Sequence, residues 1–251
     1  MSRRIHACHH FYRRSSSQRD ARVRAVRWTS YGNLVFAPHT YTGAFTAKKG
    51  HNKSDPNCCQ PPFPKSLNTA WAEAAMMNAS VLVTEWGDGD GPSDFANIRG
   101  VVEQQDAKFT SSTYWDWKQS EQAGCSWSLF KCAVGPDNAT VPNGVVDTAK
   151  LAVVSRVIPT AVVGTIHSFS YNDTTEVFEM RAAAPGADAQ PGVNTLVYVP
   201  AHVIRQPSEV SVGGAAKLDR VERQPDGSWI IEVAVAAGPG DYTVRLGEPD
   251  A

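Results

Sequence analysis

Near residue 156 the periodicity of the chain changes, and that change limits the folds open to it more than any other feature. Before it, short β-branched and apolar runs alternate with segments of helical spacing. After it come only short alternating runs cut by glycine and proline. The first pattern is that of parallel strands joined by crossover helices, the second that of stacked antiparallel sheets. The expected class is therefore α/β plus all-β, with a leader at 1–31, an α/β domain at 32–155 and a β-domain at 156–251.

Within the α/β part, Val81-Leu82-Val83-Thr84 reads as a buried strand that runs into Glu85, Trp86 and Gly87. Asn33 to Tyr41 is a similar run upstream, ending in His39 and Tyr41, and Thr110 to Lys118 follows downstream, ending in Trp115 and Trp117. Ser66 to Asn78 and Ser93 to Lys108 carry apolar residues at helical spacing between these runs. Strand–helix–strand–helix–strand is the repeat of a parallel α/β barrel, whose chemistry sits at the C-terminal ends of its strands. His39 and Tyr41, then Glu85, then Trp115 and Trp117 fall at equivalent ends. Taken alone, Glu85 reads equally well as a carboxylate that caps the next helix. Aromatic rings beside a carboxylate suit a sugar, whose C–H faces stack on indole while its hydroxyls need polar partners.

In the second part, strands are expected at Gly164 to Tyr171, Val177 to Ala182, Thr195 to Val199, Glu209 to Val212, Ser228 to Val235 and Tyr242 to Leu246. Regular short strands with turn signals between them argue for a small antiparallel sandwich. It carries no cluster of catalytic side chains, so a packing domain is the favoured reading over a separate carbohydrate-binding module. Asn138 to about Arg156 is expected to be a helix and linker.

A net charge of -1 with 20% charged residues gives no reason to expect nucleic acid or an anionic membrane as partner. No apolar run approaches the ~18–20 residues of a membrane span. Met1 to Trp28 carries eight arginines against the single acid Asp20 and lacks the apolar centre of a signal peptide, so a disordered or non-native leader is expected. His6, Cys8, His9 and His10 match no standard zinc spacing, and no metal is expected. Cys58 and Cys59 are adjacent in a Lys-, Asn- and Pro-rich loop, Cys125 and Cys132 bracket a short segment, and Cys8 makes the total odd. Sequons at Asn52, Asn78, Asn138 and Asn172 are compatible with secretion. Asp88-Gly89-Asp90-Gly91 lacks the downstream glutamate of a calcium loop and reads as a strand-to-helix turn.

The order Pro-His-x-Tyr, Thr-Glu-Trp-Gly, Tyr-Trp-Asp-Trp-Lys resembles strands six, seven and eight of glycoside hydrolase family 5, within it the endoglycoceramidase and glucosylceramidase-like branch. The resemblance spans about Gly32 to Leu246. It implies the C-terminal portion of a (β/α)8 TIM barrel followed by the family's β-domain. It makes Glu85 the nucleophile of a retaining glycosidase and His39, Tyr41, Trp86, Trp115 and Trp117 substrate-binding residues. It further implies a carbohydrate or glycolipid substrate, no cofactor, and a secreted or extracellular setting; it leaves the oligomeric state open.

The sequence departs from the family in two ways. A whole (β/α)8 barrel takes about 250 residues, whereas roughly 120 precede the β-domain and only three strands can be placed. Retention also requires a second carboxyl roughly 5–5.5 Å from the nucleophile. The family carries it in an Asn-Glu-Pro motif that this sequence does not contain, and Asp88, Asp90, Asp116 and Glu121 have no motif in its place. The expectation is an N-terminally truncated glycosidase with little or no hydrolysis of its own. The alternative is a non-catalytic remnant or carbohydrate-binding scaffold.

Overall fold

The computed structural model describes residues 34–41, 63–89, 91–117, 127–131, 145–186, 193–205 and 207–247. The basic leader, the 42–62 loop and all five cysteines lie outside them, as do Asp90, Lys118, Glu121, Asn52 and Asn138. The chain divides into two compact units, Met1–Gln105 with Phe109–Ser128, and Asp106–Lys108 with Leu129–Ala251.

In the first unit, β1 (Val35–Phe36), β2 (His39–Tyr41), α1 (Phe63–Met76), β3 (Ser80–Gly87), α2 (Pro92–Ala107) and β4 (Ser111–Tyr114) follow in order. The expected first strand is broken in two at Ala37-Pro38, because proline has no N–H for the ladder. Both pieces pair in parallel with β3 on one side, and β4 pairs in parallel on the other. Strands consecutive in the chain are thus neighbours joined by helices, as parallel α/β topology requires.

The ladder along β3 is not even. Phe36 pairs with Val81 but His39 with Glu85, so three steps of the neighbour match four of β3. On the other side Val83 pairs with Ser112 and Trp86 with Tyr114, again with one residue too many in β3. Such a bulge breaks strand alternation and re-aims the side chains beyond it. Burial records this: Val81 and Val83 are buried, Thr84 and Glu85 are two successive half-buried residues, and Trp86 is buried again.

Each helix ends in a turn that sends the chain straight into the next strand. After α1, Ala79 N–H donates to the Ala74 carbonyl at 2.9 Å and Asn78 N–H to Ala75 at 3.1 Å, with Asn78 at φ 51. That is the Schellman arrangement, with asparagine in the left-handed position. Thr110 N–H donates likewise to Gln105 at 2.8 Å after α2, with Phe109 at φ 53. At the start of α2, Pro92 takes the first helical position and Asp94 Oδ2 accepts from Gly91 N–H at 3.1 Å.

In the second unit a pairing of β5 (Phe130–Lys131) with β6 (Val145–Val146) precedes α3 (Thr148–Val154). The long helix expected from Asn138 is therefore only this short one, capped by Asp147, whose Oδ1 accepts from Lys150 N–H at 3.1 Å. Eight strands follow: β7 (Ile158–Ala161), β8 (Thr165–Tyr171), β9 (Phe178–Ala183), β10 (Asn194–Val199), β11 (Val210–Gly214), β12 (Ala216–Arg223), β13 (Trp229–Val235) and β14 (Asp241–Leu246). They form two four-stranded antiparallel sheets, ordered β12-β13-β10-β7 and β11-β14-β9-β8.

Period-two burial places one face of each sheet in a shared core. Phe178, Met180 and Ala182 of β9 stand in register with Leu246, Val244 and Tyr242 of β14, and all six are buried. Val197, Ile231 and Val233 of the other sheet join the same core. It also holds a polar triangle. Tyr242 hydroxyl donates to the Val163 carbonyl at 2.8 Å, Thr195 Oγ1 lies 2.8 Å from that hydroxyl, and Val163 N–H donates to Thr195 Oγ1 at 2.9 Å. With the threonine proton directed at the phenol oxygen, every group in the triangle is satisfied.

Candidate active site

The described part of the site is built at the C-terminal end of β3. Register sets His39 of β2 opposite Glu85, and His39 Nδ1 lies 3.0 Å from Glu85 Oε2. A nitrogen at that distance donates its hydrogen to the carboxylate and fixes one of its oxygens. The two side chains are 39% and 36% exposed, so the carboxylate is both oriented and open to an incoming molecule. Tyr41 stands opposite Gly87 in the register; its side chain lies outside the described residues.

The aromatic residues divide into two groups. Trp115, just beyond β4, is 39% exposed, and Trp117 is 66% exposed. Trp115 N–H donates to the Trp86 carbonyl at 2.8 Å, which ties the start of the aromatic segment to β3. Its ring meets Trp127 edge-on, centroids 6.0 Å apart. Trp86, expected to bind substrate, is placed otherwise. It is 2% exposed and packs edge-on against Tyr114 at 5.0 Å. After the bulge it returns to the buried side of the strand, where its ring supports the wall instead of offering a face to a sugar.

Gly87 has a steric reason to be glycine. A Cβ there would stand 2.2 Å from the Trp115 carbonyl oxygen, a contact no side chain permits. The Glu-Trp-Gly sequence therefore places a carboxylate, a supporting ring and a gap through which the next strand's end can pass.

Behind the site lies a set of polar contacts. Asp88 is buried, its Oδ1 accepting from Gly89 N–H at 2.9 Å and its Oδ2 from Asn97 Nδ2 at 3.0 Å. This carboxylate holds the β3–α2 turn to the first turns of α2. Tyr114 hydroxyl reaches the Trp127 carbonyl at 3.0 Å and the Asp88 carbonyl at 3.4 Å. Tyr114 thereby links the turn after β3 to the segment bearing Trp127. Nothing in the sequence pattern singles out Asn97 or Trp127, because neither occupies a motif. Tyr114 stands inside one, but there it reads as an ordinary strand residue. Among the described residues, no group of three or more His, Cys, Asp or Glu side chains is arranged to hold a metal ion. Among them, too, no helix is long and apolar enough to cross a membrane.

Comparison with known proteins bears on this geometry. The family description "Cellulase (glycosyl hydrolase family 5)" matches residues 10–121, and "Glycoside hydrolase family 5 C-terminal domain" matches residues 156–245. No curated protein sequence matches. Among solved structures, sterylglucosidase 1 of Cryptococcus neoformans with tris aligns with a TM-score of 0.55 at 17% identity, over 84% of this chain and 37% of that one. Endo-glycoceramidase II from Rhodococcus sp., as its lactosyl-enzyme intermediate, aligns with a TM-score of 0.54 at 18% identity, over 75% and 39%. These likenesses carry the fold alone, parallel strands and helices that align with part of TIM-barrel structures, followed by antiparallel sheets. The chain spans about a third of the length of the structures it matches.

Proposed function

The chain belongs to glycoside hydrolase family 5, and on that footing we propose that it carries the nucleophile side of a retaining β-glycosidase acting on a glycolipid or related β-glycoside. The observation that carries the proposal is the His39–Glu85 pair at the ends of adjacent parallel strands, 3.0 Å apart and open to solvent. Glu85 attacks the anomeric carbon as the aglycone oxygen departs, giving a glycosyl-enzyme ester. Water then attacks that ester and releases the sugar with its configuration retained. His39 holds one carboxylate oxygen so that the other is presented to the sugar. Trp115 forms the floor on which the ring stacks, with Trp117 as a further exposed ring, and the substrate-binding role of Tyr41 rests on the family resemblance.

The second carboxyl, which protonates the leaving oxygen and later activates water, is assigned to a residue outside the described ones. Asp88 does not fill that role, since both its oxygens are engaged in the turn behind the site. The glycolipid class rests on the likeness to the sterylglucosidase and endo-glycoceramidase structures, and secretion on the family resemblance. A second reading, a sugar-binding scaffold without turnover, is favoured only by the exposed faces of Trp115 and Trp117.

The nucleophile can be tested apart from the second carboxyl. A dinitrophenyl 2-deoxy-2-fluoro-β-glucoside has a leaving group that departs without protonation, so ester formation needs Glu85 and not the acid. Mass spectrometry should find one fluoroglucosyl group on the Glu85 peptide, lost in Glu85→Gln. Sugar binding without label, or label on another residue, overturns the assignment.

A further inference from the structure

A cavity of about 490 Å³ in the second unit is lined by Arg205 and Arg245 together with Ser208, Glu209, Ser211 and Gly247. Arg205 is held rigidly: Nη1 donates to Glu209 Oε2 at 2.8 Å, and Nη2 and Nε donate to the Thr175 carbonyl at 2.8 and 3.2 Å. Arg245 is less engaged. Its Nη2 donates to Glu179 Oε2 at 2.9 Å, while its Nε is buried with no hydrogen-bond partner. Glu179 is already shared, because its Oε1 accepts from Arg181 Nε at 2.7 Å. The Arg181 bond above all, with the Arg245 charge beside it, keeps the Glu179 carboxyl below its ordinary range.

Among the described residues, Arg205 pairs with Glu209, while Arg245 shares Glu179 with Arg181. Arg245 thus has only a shared counter-ion, at a cavity wall that also carries the Ser208 and Ser211 hydroxyls. Gly247, at φ 82, contributes by its bareness: a Cβ would come within 3.2 Å of Arg205 Nε and crowd the guanidinium. A planar guanidinium at a cavity wall, here that of the part-exposed Arg245, is the group best suited to a tetrahedral oxyanion. The volume lies within the ~300–1,000 Å³ of small-molecule sites and far exceeds what a bare ion fills, so the anion comes attached to an organic body.

We propose that this cavity binds the phosphate or sulfate group of a small ester, with Arg245 and Arg205 as its cationic wall and Ser208 and Ser211 as further donors. The site lies wholly within the β-domain and does not depend on the reading of Glu85.

Isothermal titration of the full chain with glucose 6-phosphate, glycerol 1-phosphate, inorganic phosphate and glucose tests it. Saturable binding is expected for at least one ester, with glucose and inorganic phosphate at least ten-fold weaker. A preference for glucose 6-phosphate assigns a sugar ester, and a preference for glycerol 1-phosphate assigns a lipid headgroup. Arg245→Met should weaken binding ten-fold or more. Ser208→Glu should do the same by setting a carboxylate at the rim, and its exposed position leaves the ion pairs and the fold in place. If Arg245→Met fails to fold, the Ser208→Glu result decides. Absence of saturable binding by either ester, unchanged affinity in Ser208→Glu, or inorganic phosphate binding as tightly as the esters overturns the proposal.

Discussion

Replacing Tyr242 by phenylalanine removes one oxygen atom from the centre of the sandwich and leaves the packing otherwise as it was. Tyr242 is 1% exposed, so no water replaces that oxygen at its own position. Two groups lose a partner: the Val163 carbonyl and the Thr195 hydroxyl, each 2.8 Å from the phenol oxygen. A buried polar group left unpaired costs about 1–3 kcal/mol. Thr195 is fully buried and takes the full penalty, whereas Val163 is half-buried and recovers part of it. The expected loss is about 2 kcal/mol.

The double variant Tyr242→Phe, Thr195→Val then removes the orphaned hydroxyl as well. It leaves Val163 N–H as the new unpaired donor, and its cost should fall below the sum of the single changes by about 1 kcal/mol. Urea unfolding gives the stabilities. Hydrogen exchange of the β9 and β14 amides reports the sandwich itself. A Tyr242→Phe cost under about 0.5 kcal/mol, or strict additivity in the cycle, refutes the claim that the triangle is a satisfied buried network.

Burial pushes the phenols of Tyr242 and Tyr171 above their ordinary value, with Glu176 and Asp173 adding to the effect at Tyr171. Their contribution is complete below about pH 10. It is lost above that pH, as the unfolded chain ionises first, at up to about 1.4 kcal/mol per pH unit for each phenol. Urea midpoints should be level from pH 7 to 9 and fall beyond 10, less steeply in Tyr171→Phe; an unchanged slope there refutes the shift. Gly87→Ala should cost about 1–3 kcal/mol through overpacking and alter the near-ultraviolet dichroism of the tryptophans, since Trp115 must move; unchanged spectra refute the steric account. Asn78→Gly should be neutral or stabilising, whereas Asn78→Val should lower the thermal midpoint, because only the former tolerates φ 51 without strain. Equal midpoints in the two variants count against the Schellman assignment.

Legibility in the sequence followed the kind of force at work. The Val81-Leu82-Val83 run and the Gly-Pro-Ser-Asp start of α2 declare themselves, since burial and capping each demand particular residue types. The alternating strands from β8 to β14 were readable for the same reason, with one exception. Ala-Lys-Leu-Asp-Arg-Val-Glu-Arg, which forms β12, is charged because it is an edge strand, and charge there discourages pairing with other chains. β7 was hidden by Pro159 in its short run. At the site, the placing of His39 beside Glu85 and of an exposed Trp115 beyond β4 was legible from the spacing of the strand-like runs. The burial of Trp86 was not, for hydrophobicity cannot tell a ring that packs inward from one that faces outward. The bulge left no trace in composition, because it is a matter of count and not of residue type.

That extra residue has a consequence for how motifs in such chains should be read. Were Thr84 to enter the ladder as an ordinary residue, with no bulge, Glu85 would fall on the side shared by Val81 and Val83 and stand opposite Thr40 instead of His39. The chain would still spell Glu-Trp-Gly, and its carboxylate would be intact, yet it would face away from His39. A chain whose strand had lost the bulge would pass every inspection of its motif with its carboxylate misplaced. The bulge is thus as much a part of the signature as the letters themselves.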